Sequence, residues 1–501
     1  MRLFSIPSAS FSLCRFSQTN PYFSHIHHLL HIQTPNHKHK PKTLNLTKTP
    51  KPSLSSSSSS SSSIVDFKDD VVLTEKQKEV LKAVVDGRSV FITGSAGTGK
   101  SFLLHHIIHL LRLLHSPRNV FVTASTGVAA CALNGLTLHS FAGVGLSTDH
   151  SPELLLHKVR CNIPAFKRWR FAKALVVDEI SMIDGQLFDR LEFIARSLRP
   201  GRKVWGGIQL VVAGDFFQLP PVNSPDPNRE FAFEADSWSN SFHLQVELTH
   251  VFRQSDARLV KLLQAIRKGR SDDIDWFRFL NSCFVEPHFG EREKTVTRLY
   301  PRNEDVRRVN EEKLRSLGGE VITYIAQDEG EESGKKQLKQ GIAPQELELC
   351  LGARVMLLKN LDPMNGLVNG ATGTVTGFVK SRRKVLSSIC AKQVLPRVQF
   401  DSKLEIEVEP DSWDVMDGDV VLATRRQVPL TLAWALSIHK CQGLTLDRLH
   451  TDLSRAFGCG MVYVALSRVR SLDGLCLSGF SPRKIKVHPK VLDYSQQAFG
   501  N

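Results

Sequence analysis

Between residues 89 and 115 the hydrophobic pattern of the chain changes period. Ser-Val-Phe-Ile-Thr at 89–93 is a short apolar run of the kind that forms a buried strand, and 102–115, rich in Leu, Ile and His, has the spacing of a helix. Eight residues that suit neither element, Gly-Ser-Ala-Gly-Thr-Gly-Lys-Ser at 94–101, separate them. Two further apolar runs, at 174–177 and 208–213, each stop abruptly at carboxylates: Asp178-Glu179 after the first and Gly214-Asp215 after the second. Runs of this kind read as strands buried between helices, with their carboxyl ends side by side at the crevice of a parallel sheet.

From 361 to 426 the texture differs. Val and Thr alternate with Gly and polar residues, as in Gly373-Thr374-Val375-Thr376-Gly377, which predicts antiparallel sheet and a small β-barrel-like insertion. The stretch 327–340 is polar and glycine-bearing and reads as a mobile loop. At 154–173, Lys158, Arg160, Lys167, Arg168 and Arg170 surround Trp169, a makeup that suits either a basic surface helix or contact with a nucleic-acid fork.

Composition narrows the class. The chain has 501 residues, enough for two or three domains, and no run of eighteen apolar residues, so no membrane span is expected. Its nine cysteines include no Cys-x-x-Cys pair, which argues against a zinc site or a disulfide framework and favours a reducing compartment. Seven of the fifteen net positive charges fall in residues 1–63, which contain no acid, and the remainder carries +8. A basic excess on a two-domain body suits a polyanionic partner. The leader joins Arg2 and Arg15 to many serines and to Phe4, Phe11 and Phe16, then runs into an unbroken serine tract at 55–63, the composition of an organellar transit peptide and flexible spacer. Residues 1–64 are therefore excluded from the fold. Arg near the start favours a mitochondrial address, with plastid and nucleus as the alternatives.

The loop at 94–101 has the chemistry to hold a nucleotide. A glycine-rich turn opening a helix points backbone N–H groups inward and adds the positive helix end, so Gly94, Ser95, Ala96, Gly97, Thr98 and Gly99 can wrap a polyphosphate. Lys100 supplies a charge for the outer phosphates, and the Ser101 hydroxyl can ligate Mg²⁺. Asp178 can share that Mg²⁺ while Glu179 polarises the attacking water, which points to ATP hydrolysis rather than transfer to a small acceptor. Gln218 can bond the γ-phosphate and sense its loss. Arg253 and Arg468 are candidates to neutralise charge on the γ-oxygens when a second domain closes on the site.

Together, Val-Val-Asp-Glu-Ile-Ser-Met-Ile-Asp (176–184), Gly-Gly-Ile-Gln (206–209), the segment 214–222, Ala-Leu-Ser-Ile-His-Lys-Cys-Gln-Gly-Leu-Thr (435–445), Leu-Thr-Glu-Lys-Gln (73–77) and Asn-Gly-Ala-Thr-Gly (369–373) resemble the Pif-type (petite integration frequency) DNA helicases of superfamily one, relatives of the RecD motor. The resemblance covers about residues 70 to 480. It implies an α/β fold of two RecA-like P-loop domains with parallel sheets, plus the β-barrel-like insertion in the second. The expected boundaries are 65–250 for the first motor domain, with a wedge-like insertion at about 148–173, then 251–360 and 427–501 for the second, and 361–426 for the insertion.

The resemblance further implies that Gln77 reads the adenine and that translocation runs 5′ to 3′ on single-stranded DNA. The strand would be contacted by Thr126, His139, Phe141, Phe217, His439, Lys440 and Gln442. Core packing is the alternative for the two phenylalanines. Cys441 stands where relatives carry serine, and its hydrogen bond to a phosphate would be weaker. The expected function is an ATP- and Mg²⁺-dependent helicase working on single-stranded and forked DNA in organellar genome maintenance, with no membrane partner and as a monomer. An RNA helicase and a DNA-binding ATPase clamp that does not separate strands are the competing readings.

Overall fold

The computed structural model describes residues 73–500 except 146–150, 202, 222–225, 271–279, 281–282, 284–295, 340–342, 363–364, 382–387, 418–419 and 439–440. The expected leader at 1–64 lies outside them. The chain divides into two compact units, 1–78 and 79–501. In the first, Thr74 and Gln77 open a helix with a reciprocal capping box: Thr74 N–H donates to Gln77 Oε1 (2.9 Å) and Gln77 N–H donates to Thr74 Oγ1 (3.3 Å).

The second unit begins with a six-stranded, all-parallel sheet. Its strands are β1 (Val90–Gly94), β2 (Val120–Ala124), β3 (Leu136–Thr137), β4 (Ala174–Asp178), β5 (Gln209–Ala213) and β6 (Leu244–Leu248), in the order β3-β2-β4-β5-β1-β6. The first five strands are buried along their whole length, which is why they read as continuous apolar runs rather than alternation. The helix Lys100–Leu114 lays Leu103, Leu104, Ile107, Ile108 and Leu111 on one face, against Val90 and Ile92.

After β7 (Thr297–Tyr300) the chain leaves the α/β framework. It forms β8 (Ile322–Ile325), β9 (Gln327–Gly330), β10 (Glu346–Leu349), β11 (Arg354–Leu357), β12 (Thr372–Lys380), β13 (Val394–Phe400), β14 (Glu405–Glu407), β15 (Asp411–Asp417), β16 (Val420–Gln427) and β17 (Leu430–Leu432). These pair antiparallel as β14-β13-β12-β11-β17, β15-β16-β9 and β10-β8. The antiparallel region therefore begins at β8, some forty residues ahead of the boundary read from the sequence, because its first strands are four-residue pieces too short to show a period. The chain then returns through β18 (Ala435–Ser437), β19 (Leu449–Asp452) and β20 (Leu475–Gly479) to make a second parallel sheet, β18-β7-β19-β20.

The segment expected to be a mobile loop is β9 followed by the helix Glu332–Lys339. Gln337 of that helix is buried, accepting from Thr137 N–H at 3.1 Å and donating to the Gly135 carbonyl at 3.0 Å, so it completes the backbone pairing of edge strand β3. Arg425 and Asp328 form a buried, doubly bonded ion pair beneath it, both contacts at 2.7 Å. Gln337 and Asp328 thus spend their polarity on specific partners, whereas Glu329, Glu331, Glu332, Ser333, Lys336 and Lys339 face solvent.

The basic stretch at 154–173 forms two helices, Pro152–Cys161 and Ile163–Phe171, capped by Ser151 and Asn162. Trp169 is fully buried between Phe141 and Trp205 and donates Nε1–H to the Ala142 carbonyl, so it is not an exposed fork-contacting ring. Arg168 is buried too, donating to the carbonyls of Ser140 and Phe141 and to Asp417 of β15 (2.8 Å). Burying a guanidinium costs so much unless it is paired that this residue is committed to joining the helical insertion to the antiparallel region.

The C-terminal helix Pro489–Phe499 returns to the first sheet. Tyr494 stacks flat on Phe233 (4.3 Å between centroids), accepts from Trp238 Nε1 and donates to Gln245 Oε1. The last helix of the chain thus closes the core of its first half.

Candidate functional site

Strand β1 delivers the chain into the glycine-rich loop with no room for side chains. A Cβ on Gly97 would lie 2.7 Å from Arg253 Cβ and 3.0 Å from Gln254 Oε1, and its φ of +86° belongs to glycine. Lys100 opens the helix and folds back over the loop, donating Nζ–H to the carbonyls of Gly94 (2.7 Å) and Ser95 (3.0 Å). Beside it the Ser101 side chain is exposed at the helix start. Desolvation holds the Lys100 ammonium below its ordinary pKa, partly opposed by the negative charges of Asp215, Glu179 and Asp178.

Those carboxylates arrive on the ends of β4 and β5. Asp178 is buried with Oδ1 accepting Glu179 N–H at 2.9 Å. Burial pushes its carboxyl up to about 6, against the pull of that N–H and of Lys100. Glu179 sits in the left-handed backbone region (φ +53°), a strained conformation for a non-glycine residue that turns its side chain sharply off the strand end. Desolvation first, and then the neighbouring Asp178 charge, push its carboxyl up to about 7. Asp215, fully buried, is instead neutralised by Arg267 (2.9 Å), which also reaches Glu247 (2.9 Å). Asp178 and Glu179 are therefore the two acids short of positive charge. A divalent cation between Ser101 and Asp178 fits that deficit, since hard cations take hydroxyl and carboxylate oxygens.

The second parallel sheet faces this point across a cleft of about 410 Å³ walled by Lys100, Ser101, Glu179, Gln218, Arg253 and Arg468. Arg253 donates to the carbonyls of Ser467 (3.2 Å) and Gly443 (3.1 Å). Burial lowers its guanidinium to about 9, with the adjacent Arg468 adding to the effect. Arg468 is buried and donates to the Val464 carbonyl (2.9 Å), the Cys441 carbonyl (3.4 Å) and Ser467 Oγ (2.7 Å). Gln218 bonds Asp215 through Nε2 at 3.3 Å and lines the cleft. Lys100, Asp178, Glu179, Gln218, Arg253 and Arg468, read separately from the sequence, are thus neighbours.

Three bridging residues were missed. Gln254 is buried and donates Nε2–H across the cleft to the carbonyls of Ser467 (3.0 Å) and Val469 (3.1 Å). Tyr463 Oη accepts the Ala96 N–H of the phosphate loop at 2.7 Å. Arg267 pairs with Asp215 as described. Gln254 directly follows Arg253, and Tyr463 lies one helical turn and a residue before Arg468, so proximity in sequence was the available signal.

The residues expected on the nucleic-acid side divide. Thr126 and His139 sit just past the ends of β2 and β3, both half-exposed, with Thr126 Oγ1 capping the next helix by accepting Ala129 N–H. Phe141 is fully buried between Phe121 and Trp169, and Phe217 is buried with the Arg267 guanidinium 4.3 Å over its ring. Both rings pack the core, because each follows the sheet edge on its interior side. Gln442 points the other way from expectation, into the cleft beside the phosphate loop, donating Nε2–H to Glu179 Oε2 at 2.8 Å and lying 3.4 Å from Gln218 Oε1. The Cys441 thiol is buried and donates to the Ile438 carbonyl, away from any phosphate position. Gln77 spends Oε1 on its helix cap. His439 and Lys440 lie outside the described residues.

Comparison with known proteins agrees with this arrangement. Residues 72–275 match the model of the family described as PIF1-like helicase, and 337–378 match the DNA helicase Pif1, 2B domain. The chain is 42% identical over 426 residues to the ATP-dependent DNA helicase PIF1 of Xenopus laevis, spanning 85% of this chain and 64% of the relative's length. The crystal structure of Pif1 helicase from Candida albicans shares 40% identity and superposes with a TM-score of 0.67, covering 85% of this chain and 99% of that one. Pif1 helicase from Bacteroides in complex with ADP-AlF3 and ssDNA shares 28% identity with a TM-score of 0.55, over 86% of this chain and 99% of that one. With two parallel α/β sheets closing on a glycine-rich phosphate loop, and this extent of likeness, the chain belongs to the PIF1-like helicase family.

Proposed function

We propose that this protein hydrolyses ATP in the cleft between its two parallel sheets and uses the closure to travel 5′ to 3′ along single-stranded DNA, separating duplex or forked DNA ahead of it. The observation that carries the reading is the convergence of Lys100, Asp178-Glu179, Gln218 and Arg253, which follows β6 beside the phosphate loop, with Arg468 from the second half around one cleft. Catalytic charges supplied from both sides make chemistry depend on domain position, as a motor requires. The Bacteroides relative, whose structure holds ADP-AlF3 and ssDNA together, supports the same pairing of ligands here.

The phosphates of ATP would displace the Gly94 and Ser95 carbonyls from Lys100 and take its ammonium. Mg²⁺, held by Ser101 and Asp178, would neutralise charge on the β- and γ-oxygens. A water then attacks the γ-phosphorus while the bond to the β–γ bridging oxygen breaks. Glu179, with its carboxyl pushed up to about 7, accepts the proton that water gives up. Arg253 and Arg468 exchange their backbone carbonyls for the γ-oxygens as charge builds there. On the strand, Thr126 and His139, together with His439 and Lys440, would contact backbone and bases without reading sequence. Residues 1–64 would direct the protein to mitochondria for genome maintenance there, as their acid-free, Arg- and Ser-bearing composition suggests.

Residues 65–501 should hydrolyse ATP faster with single-stranded DNA than without it, and unwind a 5′-tailed duplex but not a 3′-tailed one, with Lys100→Ala losing both activities. Hydrolysis indifferent to nucleic acid would end the motor reading; stimulation by RNA alone would favour an RNA helicase, and stimulation without unwinding a clamp. In the absence of nucleic acid, kcat/KM for ATP should fall about tenfold per pH unit below about 7, since Glu179 must be unprotonated to act as a base. A profile flat to pH 5 would remove Glu179 from that role. A reporter fused to residues 1–64 should enter mitochondria, and nuclear signal would contradict the address.

A further inference from the structure

The turn at 441–443 makes three separate contacts with the charged groups of the ATP site. The Cys441 carbonyl accepts from Arg468 (3.4 Å), the Gly443 carbonyl accepts from Arg253 (3.1 Å), and the Gln442 amide donates to Glu179 Oε2 (2.8 Å). The turn is itself wound tightly, with Cys441 N–H on the Ser437 carbonyl and Leu444 N–H on the Cys441 carbonyl, both at 3.0 Å. It follows β18 in the second half, whereas Glu179 ends β4 in the first. One short segment thus contacts the base and both arginines.

We infer that Gln442 is a positioning residue that restrains Glu179 in the resting protein, so that the 441–443 turn keeps basal ATP hydrolysis low until movement of the second half withdraws it. Two observations support a restraint rather than an aid to catalysis. Oε2 is an oxygen on which the attacking water would place its proton, and the amide N–H bonds to it. The same turn holds Arg253 and Arg468 on backbone carbonyls, so the state in which Gln442 grips Glu179 is also the state in which neither arginine is free for the γ-phosphate. The inference rests on the proposed ATP hydrolysis with Glu179 as base.

Other groups set the background on which this bond acts. Asp178 on β4 and Asp215 beyond β5 raise the Glu179 carboxyl, whereas Lys100 on the loop helix and Arg468 from the second half lower it. Gln218 adds a neutral amide beside Gln442.

The test is steady-state ATP hydrolysis by residues 65–501 carrying Gln442→Ala, with and without an oligo(dT) strand. Basal kcat should rise about fivefold to tenfold, the size of effect that loss of one charge-assisted hydrogen bond allows. The rate with oligo(dT) should change less than twofold, so the stimulation ratio collapses. Gln442→Asn keeps the amide but is one methylene too short to reach Oε2, and should behave as the alanine variant does; it also serves if alanine impairs folding. A basal rate that is unchanged or lower in both variants overturns the inference. Glu179→Gln separates the two layers: if that variant still hydrolyses ATP, the base assignment has failed, and if it is inactive while the Gln442 variants show no gain, only the restraint has.

Discussion

The two halves of the ATP site meet by backbone contact that leaves no space for a side chain. A Cβ on Gly460, whose φ is +72°, would lie 2.1 Å from the Gln218 carbonyl oxygen and 2.7 Å from that of Phe217. Gly460 is also the cap of the helix Met461–Leu466, whose residues are buried throughout, and that helix carries Tyr463 to the phosphate loop and leads directly to Arg468. The approach at Gly460 therefore fixes how deeply the second half enters the cleft. Any larger residue would push back the helix, and with it Tyr463, Ser467 and Arg468.

Given that approach, the electrostatics follow from burial. Lys100, Asp178, Glu179, Arg253 and Arg468 converge in a partly dehydrated space, where an unpaired charge is costly. The cations are satisfied by main-chain carbonyls of Gly94, Ser95, Gly443 and Ser467, whereas burial holds the carboxyls of Asp178 and Glu179 above their ordinary pKa values. Asp215 differs because the buried Arg267 guanidinium is bonded to it and lies over the Phe217 ring. The charges retained for structure and those available for chemistry are distinguished by whether their partner is a side chain of opposite charge or a carbonyl that a phosphate can replace.

The parts of this arrangement legible in the sequence are those with a strict local requirement. The phosphate loop and the strands ending at Asp178 and Asp215 could be read because a fully buried parallel strand shows as an unbroken apolar run and its end carries the chemistry. The arginines became credible through the motifs around them. What escaped depends on side-chain direction across the fold. Trp169 and Arg168 look like a surface pair among basic residues, yet the helix turns both inward. Gln442 belongs to a motif associated with the strand, but its amide faces the neighbouring half. Polar residues at 327–340 resemble a loop, but among them Gln337 and Asp328 are polar for the sake of partners that lie far away in sequence, the backbone of β3 and Arg425.

The central claim is that hydrolysis is completed by groups that bind nucleotide little and act once the second half has closed. Arg253→Ala and Arg468→Ala separate these roles when ATP affinity and single-turnover hydrolysis are measured on the same protein. The account predicts affinity within a few fold of the parent and hydrolysis at least a hundredfold slower, the scale on which a charge-stabilising arginine acts. Hydrolysis near the parental rate, or a loss fully explained by weaker ATP binding, would contradict it.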